Sequence, residues 1–122
     1  MQISEAESLV MEVLWERAPR SAEDVMAELA ASRDWREGTV KTLLNRLLRK
    51  GAVRAEKDGR RYLYHPLISR EDWVTGQSRH LLDRLFDGRL APMVAHFSRS
   101  KALSRKDIAE LRKLLEELDD GR

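Results

Sequence analysis

A chain of 122 residues is long enough for one ordinary domain or two small ones sharing a core, and 42% hydrophobic content is too high for a disordered chain. Cysteine is absent, which excludes a disulfide framework, a thiolate metal site and a cysteine nucleophile. No apolar run reaches the ~18 residues of a membrane span, and the acidic, patterned opening is unlike a signal peptide, so a cytoplasmic protein with no membrane insertion is expected.

Ser4 with Glu7 three residues on has the form of a capping box. Ala6, Leu9, Val10, Val13 and Leu14 then recur at the spacing of a helix with one buried face. Pro19 ends that helix, and Ser21 with Asp24 starts a second, carrying Ala22, Val25, Met26, Leu29 and Ala30. A third helix is predicted from Glu37 to Lys50, with Val40, Leu43, Leu44, Leu47 and Leu48 inward and Gly51 as its left-handed stop. The period then changes. Val53–Lys57 and Arg60–His65 flank Asp58-Gly59, a strong hairpin signal when both turn positions take positive φ. That turn pairs Ala55 with Tyr62 and Val53 with Tyr64, and puts Lys57, Arg60 and Arg61 at the tip. Beyond Pro66, helices are predicted over residues 70–86, 90–97 and from Ser104 onward, the last carrying Ile108, Leu111, Leu114, Leu115 and Leu118.

Charge sharpens this outline. Charged residues are 36% of the chain, yet the net charge is only +2. Residues 1–35 sum to −5, residues 36–66 to +6 and residues 67–122 to +1. The positive block is therefore the third helix and the hairpin. Three helices followed by a basic two-stranded ribbon is the order of a winged helix-turn-helix, whose last helix enters the major groove while the ribbon lies on the flanking backbone. The outward face of the third helix carries Thr42, Asn45, Arg46 and Arg49, flanked by Thr39 and Lys41, with no acid among them. Such residues suit base edges and phosphates. Double-stranded DNA is the expected partner; the alternative is a winged domain that binds an acidic protein through the same face.

The remaining residues of note read as structural. Tyr62 and Tyr64 share a face with Val53 and Ala55 and are expected to pack, as are Trp15 and Trp35; Trp73 could pack on either domain or on a second chain. His65, His80 and His96 lie far apart, with no metal-ligand spacing. No Ser-His-Asp set or Gly-rich phosphate loop is present, so no enzymatic activity and no cofactor is expected. The fold class is mainly α: a winged-helix DNA-binding domain over 1–68 with a small β-hairpin wing, then a helical dimerisation domain over 69–122. The second segment is too short to bury three amphipathic helices alone, so its final stripe, Ile108, Leu111, Leu115 and Leu118, is expected to pack across a two-fold axis.

The stretch Trp35-Arg36-Glu37-Gly38-Thr39-Val40-Lys41-Thr42-Leu43-Leu44-Asn45-Arg46-Leu47-Leu48-Arg49-Lys50-Gly51 resembles the recognition-helix signature of the penicillinase-repressor family, the BlaI/MecI/CopY type. The opening Ile3–Glu7 through Trp15, the wing Lys57–Tyr64 and the tail Leu103–Leu111 are similar to that family in the same order. The resemblance implies a homodimeric bacterial repressor that binds dyad operators with TACA/TGTA-like half-sites, often of resistance genes. It implies Thr39, Lys41, Thr42 and Arg46 as base-reading residues and places Arg60 and Arg61 in the family's wing; these two arginines, with Asn45 and Arg49 of the outward helix face, are expected on the DNA backbone. In the β-lactam-responsive branch a membrane sensor-protease system leads to cleavage at an Asn-Phe bond; the matching pair here is His96-Phe97, which keeps the Phe and not the Asn. The copper-responsive branch uses cysteines that this chain lacks.

Overall fold

Serines open two of the first three helices, because a serine hydroxyl can accept a main-chain N–H that the first helical turn leaves unpaired. Ser4 caps α1 (Glu5–Glu16) and Ser21 caps α2 (Ala22–Ala30), and in each the acid three residues on returns a bond to the serine N–H. The third helix, α3 (Glu37–Lys50), has no side-chain cap at Arg36, but stops at Gly51, whose φ of 78° lets its N–H reach the Leu47 and Leu48 carbonyls. The strands β1 (Val53–Asp58) and β2 (Arg61–Pro66) form an antiparallel ribbon. Three helices follow: α4 (Arg70–Leu85), α5 (Leu90–Arg99) and α6 (Arg105–Asp120), the last opened by a Ser104–Asp107 capping box. This computed structural model describes residues 2–121.

The apolar stripes meet as their spacing predicts. Val10, Met11 and Leu14 of α1, Val25 and Leu29 of α2, and Val40, Leu43, Leu44 and Leu47 of α3 form one buried core. Ala52, Val53 and Tyr64 close it from the ribbon. Trp15 and Trp35 pack at its margin. Trp73 also packs there, its ring 5.5 Å from that of Trp15, while Trp15 Nε1 donates to the Ile68 carbonyl at 2.8 Å.

The ribbon register differs from the expected one. Ala55 lies opposite Tyr64, Lys57 opposite Tyr62 and Asp58 opposite Arg61, so the turn is Gly59-Arg60 rather than Asp58-Gly59. Only Gly59 takes positive φ, at 65°, which fits a turn that needs a left-handed residue at its first central position alone. The shift is two residues, so every side chain keeps its face. Packing is nonetheless altered. Tyr64 is buried, but Tyr62 is 49% exposed, because the longer ribbon carries it beyond the core. The main chain of Arg20 pairs with that of Tyr64 and extends the ribbon by one bridge.

Two compact units divide the chain between Val74 and Thr75, inside α4, where the sequence suggests a boundary at 68/69. The Trp15–Trp73 contact and the Arg70–Glu12 ion pair at 2.7 Å hold the first turn of α4 to the first unit. In the second unit no described residue is buried. Asp87 and Gly88 turn the chain left-handed between α4 and α5.

One polar contact lies within the first core. Glu7 is 1% exposed, accepts the Ser4 N–H at 2.8 Å and is bridged by the Lys50 ammonium from the last turn of α3. Burial pushes its carboxyl up, but the hydrogen bonds from Lys50 and Ser4 outweigh that and leave it below its ordinary value. A carboxyl lowered in the folded state gives stability that is full above its unfolded value near 4.5 and is lost as pH falls through the folded one. Glu7→Gln should therefore lower the unfolding free energy at neutral pH by about 1–3 kcal/mol, and should flatten its decline in acid. Urea melts across the acid range check this; identical pH slopes in variant and parent would exclude the contribution.

Candidate nucleic-acid interface

Burial of Val40, Leu43, Leu44 and Leu47 fixes which way α3 faces. With one side spent on the core, the residues at complementary helical positions must face solvent. Thr39, Lys41, Thr42, Asn45, Arg46 and Arg49 are all exposed. Arg49 and Lys50 lie in the last turn and Glu37 in the first, each complementing the helix dipole. Lys50 is turned toward Glu7 and is held by the core side of the fold. Lys41 is also paired: its Nζ lies 3.0 Å from Glu37 Oε1, and that hydrogen bond raises its pKa, keeping it cationic.

The wing adds a second group of cations. Lys57, Arg60 and Arg61 are exposed at and beside the turn. Arg61 bonds Asp58 across the turn at 3.3 Å. Nearer the base, Glu56 accepts from or pairs with His65 Nε2 at 2.9 Å and lies 3.8 Å from Arg54. The two basic groups come from segments that share one core, through Val53 and Tyr64 on the ribbon and the leucines of α3.

Arg20 has a role that its sequence context does not signal. It is 4% exposed, donates from Nε to the Arg17 carbonyl at 2.9 Å and lies 3.5 Å from Glu28. Its main chain is the one that pairs with Tyr64, so it ties the α1–α2 connection to the wing. A lone arginine after Pro19 carries no periodic or motif signal.

The other predicted site residues lie in the second unit. Ile108, Leu115 and Leu118 are exposed and Leu111 is half-buried, all on α6. His96 and Phe97 are exposed and lie inside α5, which continues to Arg99. Their rings are 5.5 Å apart, and Phe86 is 6.0 Å from His96. Among the described residues, no group of three or more His, Asp or Glu is placed to hold a metal, and no helix is long and apolar enough to cross a membrane.

Comparison with known proteins matches this geometry. The sequence profile of the penicillinase repressor family matches residues 3–117. The chain is 38% identical to the penicillinase repressor of Bacillus licheniformis over 116 residues, 95% of this chain and 91% of that protein. It is 31% identical to the methicillin resistance regulatory protein MecI of Staphylococcus aureus (strain N315) over 114 residues, 93% of each. Among solved structures, the DNA-binding domain of the repressor BlaI is similar with a TM-score of 0.54 and 39% identity, covering 58% of this chain and 87% of that one. Monomeric Bacillus licheniformis BlaI in complex with the blaP half-operator is similar with a TM-score of 0.52 and 39% identity, covering 59% and 88%.

Truncating Arg20 would remove a buried side chain and leave its hydrogen bond to the Arg17 carbonyl and its contact with Glu28 unmade. Arg20→Ala is expected to destabilise the first unit by about 1–3 kcal/mol while leaving the cations of α3 in place. Urea denaturation measures the loss; an unchanged midpoint would remove Arg20 from the support of the wing.

Proposed function

Since the chain belongs to the penicillinase repressor family and is a DNA-binding transcriptional repressor, we propose that it acts as a homodimer covering a pseudo-palindromic operator with TACA/TGTA-like half-sites. Occupancy blocks transcription by occluding the promoter, and resistance genes are the candidate targets. The exposed, cationic face of α3 beside the basic wing carries this reading. The half-operator complex of a 39% identical relative supports duplex DNA as the partner.

In this reading Thr39, Lys41, Thr42 and Arg46 meet base edges in the major groove. Asn45, Arg49, Arg60 and Arg61 hold the phosphates on either side. The domains are the winged helix, taken over 1–68, and the helical dimerisation segment, 69–122. Support for dimerisation comes from the second unit, where no described residue is buried and Leu115 and Leu118 are 60% and 71% exposed. Apolar surface of that extent calls for a covering partner, and an isologous seam through Ile108, Leu111, Leu115 and Leu118 supplies one. The repressor works in the cytoplasm, has no enzymatic activity and needs no cofactor. A membrane sensor-protease system is the candidate signal source, and His96-Phe97 is the candidate cleavage position. Because that pair lies in a helix, cleavage requires α5 to open locally.

Arg46→Ala should cost about 1–3 kcal/mol on the operator and relax preference at one base position, whereas Arg60→Ala or Arg61→Ala should weaken all duplexes alike and flatten the salt dependence. Gel shifts of operator and random duplex at several salt concentrations separate the two; an equal loss on both duplexes for Arg46→Ala would remove it from base reading. Removing the chain from Leu103 onward should give a monomer in sedimentation. A truncated chain that still sediments as a dimer would place the seam elsewhere.

A further inference from the structure

Glu37 is the one acid in α3, and it is not among the residues expected to touch DNA. It stands in the first turn, one helical turn before Lys41, in the order that favours an i,i+4 ion pair. The pair is formed at 3.0 Å, with the two side chains 49% and 55% exposed. Lys41 therefore does not offer DNA an unengaged ammonium. Any duplex that draws Lys41 to a phosphate or a base must first take it from Glu37, and must then accommodate a carboxylate at the mouth of the helix.

From this we infer that Glu37 is a specificity-determining residue: it occupies Lys41 in the free protein and so suppresses binding to duplexes that lack the operator's bases. The inference rests on the proposed reading of α3 as the helix that enters the major groove. The discrimination is chemical. At the operator, guanine O6 and N7 can take over the Lys41 ammonium, and an exposed cytosine or adenine amino group can donate to the released carboxylate. On a random duplex those base groups are not held in register with both side chains, so the main replacement for Glu37 is a phosphate, and the freed carboxylate faces a polyanion without a placed donor. Exposed ion pairs are weak enough to be exchanged, so the operator is not excluded. Specificity then comes from a repulsive element as well as an attractive one.

A plain structural role is the competing explanation, since an acid at the positive end of a helix stabilises it. That role would shift the melting temperature without changing the ratio of operator to random affinity.

The test uses the full chain and an operator that the wild-type protein itself selects from a pool of random duplexes. Glu37→Gln should tighten binding to random duplex roughly three- to tenfold near 0.1 M salt, and steepen its salt slope by about 0.9, the increment for one further phosphate contact. Operator affinity should change less than about twofold, so the ratio falls. In a Lys41→Gln background the same substitution should lose most of its effect on random duplex, because the freed ammonium is gone. An unchanged ratio, or a full effect that persists without Lys41, overturns the inference. Arg46→Ala is run beside it. If Arg46→Ala lowers operator preference while Glu37→Gln leaves the ratio alone, only the inference fails. If selection converges on no sequence, or Arg46→Ala leaves preference intact, the reading of α3 fails and the inference with it.

Discussion

Everything the first unit presents to a partner depends on how α3 is seated. Val40, Leu44 and Leu47 are fully buried and Leu43 is 4% exposed, so the helix cannot roll without withdrawing several leucines from the core. Each buried side chain of this size contributes about 1.5–3 kcal/mol by leaving water, so a rotated helix would forfeit several such contributions at once. Hydrophobic packing resists rotation but tolerates sliding. The Lys50–Glu7 bridge and the Gly51 stop pin the end of the helix, and with it the rise of every outward residue. The placement of Thr39, Thr42 and Arg46 follows from residues that never meet solvent.

The second unit has the opposite character. Its helices are amphipathic, yet no described residue in it is buried. Leu85, Leu90, Leu114, Leu115 and Leu118 are all more than half exposed. A single exposed leucine is unremarkable on a protein surface, but a repeated stripe on α6 is not. The first unit is complete in its packing and displays polar and cationic groups. The second is incomplete and displays apolar ones. In the proposed homodimer that division assigns the polyanion to the first unit and a second copy of the chain to the other.

Local signals were readable in the sequence because local physics decides them. The three serine capping boxes, the limits of α3 and the Gly51 stop each depend on residues within a few positions of one another. The exposed face of α3 was readable because its leucines leave only one orientation. The wing register was not. Asp58-Gly59 and Gly59-Arg60 both give a legal two-residue turn, and the choice rests on which residue takes positive φ. The exposure of Tyr62 followed from that choice. Contacts between distant segments were also hidden: Glu7 meets Lys50 across 43 positions, and Trp15 reaches Ile68 across 53. Neither pair forms a pattern along the chain. Arg20 looked like an ordinary loop cation and proved to be a buried one.

The charge balance gains meaning once partners are assigned. Residues 36–66 hold nine cations and three acids. Lys50 is bridged by Glu7 from another helix, while Lys41, Arg54 and Arg61 each lie within 4 Å of an acid from the block itself. Among the described residues, the other five, Arg36, Arg46, Arg49, Lys57 and Arg60, form no such pair. The unpaired group runs from the start of α3 through its middle and end to the wing, so attraction to phosphate follows the helix and the ribbon together. The paired group must exchange one anion for another. For exposed pairs the exchange costs little, but it is favourable only when the incoming acceptor is well placed. A basic surface with all its cations free would bind any duplex through counterion release. One in which several cations are already engaged binds weakly until the geometry is right, and that difference, more than the total of +6, is what a sequence-reading protein requires.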